Sequence, residues 1–213
     1  MKAFVASIFM CTISAIVCSA DGDIAAKFNT SEVVPDVLKE APAELLEVNF
    51  NGKIIQEFGQ ELTPTQVKKA PTLTWNANPN AFYTVCMTDP DAPSRTDPKA
   101  REFLHWLVVN IPGSDIGRGD TMAAYVGSGP PKGTGFHRYV IIVYEQPRGK
   151  IDVSSDKRIP NNTRDGRPKF SVQRYADEHY FGPPVAANMY QAQWDDHVIN
   201  VHRQLSTIQS FNV

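Results

Sequence analysis

The chain has 213 residues, with 21 Lys and Arg against 23 Asp and Glu, 42% hydrophobic residues and only three cysteines. That length suits a single domain with a substantial core. The near-even charge, with no basic tract, argues against general binding of nucleic acid or anionic membranes.

The first 20 residues read as a cleavable secretory signal. Lys2 gives a positive start, Ala3 to Val17 is mostly apolar, and Cys18-Ser19-Ala20 places small residues ahead of Asp21. The stretch is short for a span, and no later run reaches the roughly 18 apolar residues of a transmembrane helix, so a secreted product without a membrane segment is expected. Cleavage after Ala20 removes Lys2, Cys11 and Cys18, leaving a formal charge of −3 and one thiol, Cys86, that cannot form an internal disulfide. Within the run Phe82 to Thr88, that thiol reads as buried and inert.

Residues 21–43 form a leader without a sustained period, although Ser31 to Lys39 can make a helical turn with Val34 and Leu38 on one side. A single domain over 44–213 is expected after it. Strand-like runs recur at Leu45–Phe50, Lys53–Phe58, Thr72–Trp75, Phe82–Thr88, Phe103–Ile111 and Tyr139–Tyr144. Asn51-Gly52 is a strong two-residue hairpin signal. Short strands with Pro and Gly turns point to an antiparallel β-sandwich or barrel. A helix is expected from Ser171, with Phe170 before the cap and Tyr175 packed against it. At the end, Trp194, Val198, Val201, Leu205 and Ile208 form one helical stripe.

Three segments carry possible chemistry. In Phe103-x-His105-x-Leu107-x-Val109-x-Ile111, strict alternation puts His105 on an apolar face. A core histidine bonded to a carbonyl is the plain explanation for that position. Asp89-Pro90-Asp91-Ala92-Pro93-Ser94-Arg95 reads equally as turn chemistry or as a carboxylate turned back toward a histidine. The loop Gly127-Ser128-Gly129-Pro130-Pro131-Lys132-Gly133 and the following Gly135-Phe136-His137-Arg138-Tyr139 supply a stiff rim and a second histidine. The loop lacks the Gly-Lys-Ser/Thr of a phosphate-binding nucleotide loop. Nucleophile elbows and paired cysteine knuckles are also missing, and His197 and His202 are five apart, a poor spacing for a metal pair on one helix. No catalytic residue, metal or cofactor is assigned. Asn29-Thr30-Ser31 and Asn161-Asn162-Thr163 make Asn29 and Asn161 possible glycosylation sites.

The two segments DPDAPSR (89–95) and GFHR (135–138) closely resemble the signature motifs of the phosphatidylethanolamine-binding protein family, and the resemblance runs from about Leu45 to Leu205. It implies a Greek-key sandwich with a large central antiparallel sheet, a smaller sheet and peripheral helices including one at the C-terminus. It also implies a small pocket for phosphate-like anions and phospholipid headgroups, formed by Asp89, Pro93, His105, Gly127, Gly129, His137 and Tyr139, with a cis Ala92–Pro93 bond. In that picture both histidines donate to the anion, the glycine amides add donors, and Tyr139 presents its hydroxyl at the mouth. Arg138 points to the other side and anchors structure, against Asp91. Where many animal members carry a tyrosine near the pocket, this chain has His202, which makes anion binding sensitive to pH. The leading expectation is a secreted, non-enzymatic binding protein. Inhibition of an extracellular serine protease is the alternative, with kinase regulation or weak hydrolysis behind it.

Overall fold

The computed structural model describes residues 20–206. Residues 1–19 of the expected signal, with Cys11 and Cys18, lie outside them, as does Ile208. The described chain is mostly β. Its elements are helix α1 (Ala20–Thr30) and the short α2 (Val33–Asp36), then strands β1 (Glu44–Leu45), β2 (Glu47–Phe50), β3 (Lys53–Ile54), β4 (Thr72–Thr74), β5 (Phe82–Asp89), β6 (Phe103–Pro112), β7 (Asp120–Ala123) and β8 (His137–Glu145). Helix α3 (Val172–Glu178), strand β9 (Ala186–Ala192) and helix α4 (Val198–Leu205) complete it.

Two sheets form. One has six strands in the order β1-β9-β8-β5-β6-β7, and the other has three in the order β3-β2-β4. Neighbours are antiparallel except β1 and β9, which run parallel. The Asn51-Gly52 turn closes the β2–β3 hairpin as expected, with Phe50 opposite Lys53 and both turn residues at positive φ, 49° and 90°.

The apolar runs of β5 and β8 are continuous because both faces of the large sheet are covered. Successive side chains point to opposite faces. Val85 and Met87, with Ile141 and Val143, meet Val48, Phe50 and Leu73 of the smaller sheet. Cys86, with Val140 and Ile142, meets Phe28, Val33 and Leu38 from the N-terminal segment and Val172 and Ala176 from α3. Cys86 is fully buried, and burial pushes its thiol well up.

The segment read as a patternless leader therefore folds. Phe28, Val33, Val37 and Leu38 are buried, and their uneven spacing reflects a helix, a kink at Val34 and a turn; no single periodic face runs through them. At α3 the expectation holds closely. Ser171 caps the helix by accepting from the Arg174 amide at 3.2 Å, and the Phe170 and Tyr175 rings pack at 5.8 Å. Helix α4 buries Val198 and Val201. It begins at Val198, so Asp195 and Asp196 precede it; Asp195 ties the lead-in to the Thr65 and His197 amides.

Candidate functional site

Asp89 is the last residue of β5, and its carboxylate does two things. Oδ1 accepts from the Asp91 amide at 2.7 Å, closing a local turn, and Oδ2 accepts from His137 Nδ1 at 2.8 Å. One side chain thus both closes the turn and reaches back to a histidine. Asp91 faces elsewhere, accepting from the Arg138 amide and guanidinium. Arg138 is anchored as expected, with Asp36 and the Ser31 carbonyl completing its shell. The Ala92–Pro93 bond is cis.

His105 owes its position to a bulge. Met87 pairs with Trp106, but the next residue, Thr88, pairs with Leu104, so two residues of β6 oppose one step of β5. The simple alternation drawn through Phe103, His105, Leu107, Val109 and Ile111 is broken here and again by a second register shift between Tyr83 and Val85. Leu107 and Val109 belong to the helix-side core, and Ile111 to the core shared with the smaller sheet. His105 packs instead on Phe103 and edge-on to Tyr139. Its Nδ1 lies 2.9 Å from the Val126 carbonyl, which can only accept, so Nδ1 carries the proton and Nε2 is left for the cavity. Burial lowers its pKa to about 4, with the nearby Asp89 charge opposing. His105 is thus neutral near pH 7 and offers a lone pair, which corrects the expectation that it donates to an anion.

Both nitrogens of His137 are engaged, Nδ1 by Asp89 and Nε2 by Thr134 Oγ1 at 2.9 Å; the Thr134 hydroxyl itself donates to the Pro131 carbonyl. Two further expectations change. Tyr139 is wholly buried, stacked on Tyr190 at 5.1 Å beneath His105, and does not reach the mouth. Gly127 lies away from the cavity, where a Cβ would come within 2.9 Å of the Val67 carbonyl oxygen. Gly129 does line the cavity, and α4 passes so close that a Cβ would meet Val201 Cγ1 at 3.0 Å. These glycines are needed for close packing, and Pro130 and Pro131 bring no amide donor.

The resulting cavity measures about 80 Å³ and is lined by Asp89, Ala92, Pro93, Phe103, His105, Gly129, Pro131, His137, Arg164, Val201, His202 and Leu205. That is room for a few waters or one small headgroup. His202 closes one side from α4, where its Nε2 donates to the Gly129 carbonyl at 2.8 Å. Arg164 closes another and is exposed, its guanidinium 5.6 Å from the Phe103 ring centre. Arg164 was not singled out for the pocket, because the polar segment 148–167 that holds it reads only as an exposed loop and candidate protein-contact surface. Phe103 was legible, two residues before His105 on the same strand, and so were Val201 and Leu205 on the helical stripe. Among the described residues no group of three or more His, Cys, Asp or Glu side chains is placed to hold a metal ion, and no helix is long and apolar enough to cross a membrane.

Residues 47–191 match the family described as phosphatidylethanolamine-binding protein. The chain is similar to "Putative odorant-binding protein A5" of Drosophila melanogaster, with 43% identity over 174 residues that make up 82% of each protein. Among solved structures it is similar to the CG7054 solution structure, at 44% identity and a TM-score of 0.67, over 82% of this chain and 98% of that one. It is also similar to a carboxypeptidase Y inhibitor solved with its cognate proteinase, at 25% identity and a TM-score of 0.69, over 84% and 98% of the two chains.

Proposed function

Because the chain belongs to the phosphatidylethanolamine-binding protein family, we propose that it is a secreted, non-enzymatic binding protein whose Asp89/His105 cavity takes a phosphate-like or phosphoethanolamine headgroup. The observation that carries this is convergence. Four stretches far apart in sequence bring Asp89 with Pro93, His105, Gly129 with His137, and His202 to one cavity of headgroup size. Such a cavity suits recognition of a headgroup better than enclosure of acyl chains, because the interior between the sheets is filled by side chains. Secretion rests on the N-terminal signal pattern. A binding role is the reading we adopt for a lining that holds no Ser, Thr, Cys, Lys or Tyr side chain. Asn29 and Asn161 are exposed, as acceptors of a glycan must be.

The test is direct binding. Asp89→Ala and His105→Ala should each weaken phosphoethanolamine binding about tenfold or more, the cost of losing one hydrogen bond to a charged group, while circular dichroism stays unchanged. Parent protein that binds neither phosphate nor phosphoethanolamine in calorimetry would sink the reading.

A second reading, inhibition of an extracellular serine protease, is favoured by the similarity to the carboxypeptidase Y inhibitor. Its natural contact surface is the loop segment 148–167, which is largely exposed and borders the cavity at Arg164. No inhibition across a serine protease panel at micromolar concentration would remove it.

A further inference from the structure

The hydrogen-bonding inventory of the cavity restricts the form in which an anion can enter, and this inference rests on the anion-pocket reading above. The groups on the floor that remain open are acceptors. Asp89 presents carboxylate oxygens, and His105 presents Nε2 because its only ring proton is committed to the Val126 carbonyl. His137 has no spare donor, since Nδ1 gives to Asp89 and Nε2 to the Thr134 hydroxyl, and whatever charge the ring carries is compensated by the Asp89 carboxylate it faces. Arg164 adds positive charge at the exposed rim, over the Phe103 ring. A fully deprotonated phosphate would set its lone pairs against those of Asp89 and His105.

We propose that the cavity takes a phosphomonoester that still carries one proton, with the P–OH donating to Asp89 or His105 Nε2 and the remaining negative charge turned outward to Arg164. A dianion enters only by taking up a proton, which the complex then holds between the phosphate oxygen and the floor. Affinity must therefore fall as pH rises through the second ionisation of the ligand, near pH 6, by up to about tenfold per pH unit beyond it. The protein groups around the floor do not supply the same dependence. His105, with its pKa near 4, is neutral throughout, and Tyr139 and the buried Arg167, which donates to the Leu104 and His105 carbonyls, keep one charge state from pH 5.5 to 8.5. His137 and His202 are the titratable alternatives, and the test must separate them from the ligand.

Methyl phosphate and dimethyl phosphate do so. Near pH 5.5 both are chiefly monoanions, but only the monoester has a proton to donate. Calorimetry should show methyl phosphate binding at least about tenfold tighter at pH 5.5, as expected for one hydrogen bond to a charged acceptor, and weakening toward pH 8.5 while dimethyl phosphate stays weak and flat. His202→Gln should keep that slope, and Arg164→Gln should weaken methyl phosphate about tenfold without altering it, since a charge-assisted contact is lost and no proton is. A short-chain phosphatidic acid carries the same monoester on a lipid: tighter binding than methyl phosphate assigns the ligand to lipids, and equal binding assigns it to free phosphomonoesters. Equal affinity for monoester and diester at pH 5.5, a flat monoester profile, or a slope abolished by His202→Gln overturns the inference and leaves the pocket reading standing. Failure of methyl phosphate to bind at any pH overturns the inference, and failure of phosphate and phosphoethanolamine as well overturns the pocket reading.

Discussion

Replacing Arg138 by methionine should lower the free energy of unfolding by about 3–5 kcal/mol, the usual cost of stripping one partner from a buried ion pair. For a domain of this size that is a fall of roughly 6–20 °C in Tm. The Arg138 and Asp91 side chains are 1% and 0% exposed. Nε and Nη2 of the guanidinium reach the two oxygens of Asp91 at 2.9 and 2.7 Å, Nη2 also reaches Asp36 at 2.7 Å, and Nη1 reaches the Ser31 carbonyl at 2.9 Å. Burial alone would push the Asp91 carboxyl up, but the Arg138 hydrogen bonds and charge outweigh it and hold its pKa down. The sign for pH follows: this stabilisation is present above the ordinary carboxylate pKa near 3.9 and is lost as pH falls through the lower folded value. The double variant Asp91→Leu with Arg138→Met should cost less than the sum of its single changes, because it leaves no buried unpaired charge and Asp36 keeps Arg101 at 3.2 Å. An Arg138→Met protein within 1 kcal/mol of the parent by urea titration would refute the account.

Glu102→Gln should act in the opposite direction and only at neutral to alkaline pH. Glu102 is buried at the head of β6, where Oε1 accepts from the first amide of α3 at 3.1 Å. Oε2 and the neighbouring Thr88 hydroxyl are buried without a regular hydrogen bond. Burial, only partly opposed by Thr88 and the Val172 amide, pushes the carboxyl up to about 7 from an ordinary 4.5. The unfolded chain therefore ionises before the folded one. Stability falls as pH rises from about 4.5 to 7, and above that the full penalty of about 3 kcal/mol is in place. Gln keeps the acceptor for Val172, supplies a donor for Thr88 and cannot ionise. The variant should match the parent near pH 4 and exceed it by up to about 3 kcal/mol at pH 8. Thermal melts at the two pH values decide it, and a variant no more stable than the parent at pH 8 refutes it.

Much of the architecture was readable because local chemistry and tertiary placement agree. Asn51-Gly52 wanted positive φ and found it; Ser171, Phe170 and Tyr175 made the cap and staple that their spacing implied. The apolar runs around Val85 and Ile141 became the central strands. What escaped the sequence was decided by neighbours. Strand β9, Ala-Ala-Asn-Met-Tyr-Gln-Ala, has no β-branched residue and is a strand because β8 pairs with it along its whole length. Short β7 lies beside the bulged β6 and has no pattern of its own.

The site divides in the same way. Asp89, His105 and His137 were identifiable as acids and imidazoles flanking apolar runs, and the fold does gather them. Their chemical states were not identifiable. Whether His105 donates or accepts depends on which carbonyl meets Nδ1, and that depends on the path of residues 123–126, which no motif encodes. The family resemblance placed Tyr139 at the mouth, yet the pleat turned its ring inward against Tyr190.

Ser31 and Arg138 stand 107 positions apart in the chain, and Arg138 shares Asp91 with the turn whose other carboxylate, on Asp89, enters the cavity. The docked N-terminal segment thereby braces the turn that carries Asp89 into the proposed binding cavity. Protein trimmed or tagged at that end would announce the damage first as altered ligand affinity, before any loss of secondary structure. The occupied cavity, in turn, would protect the α1–α2 junction from proteolytic clipping.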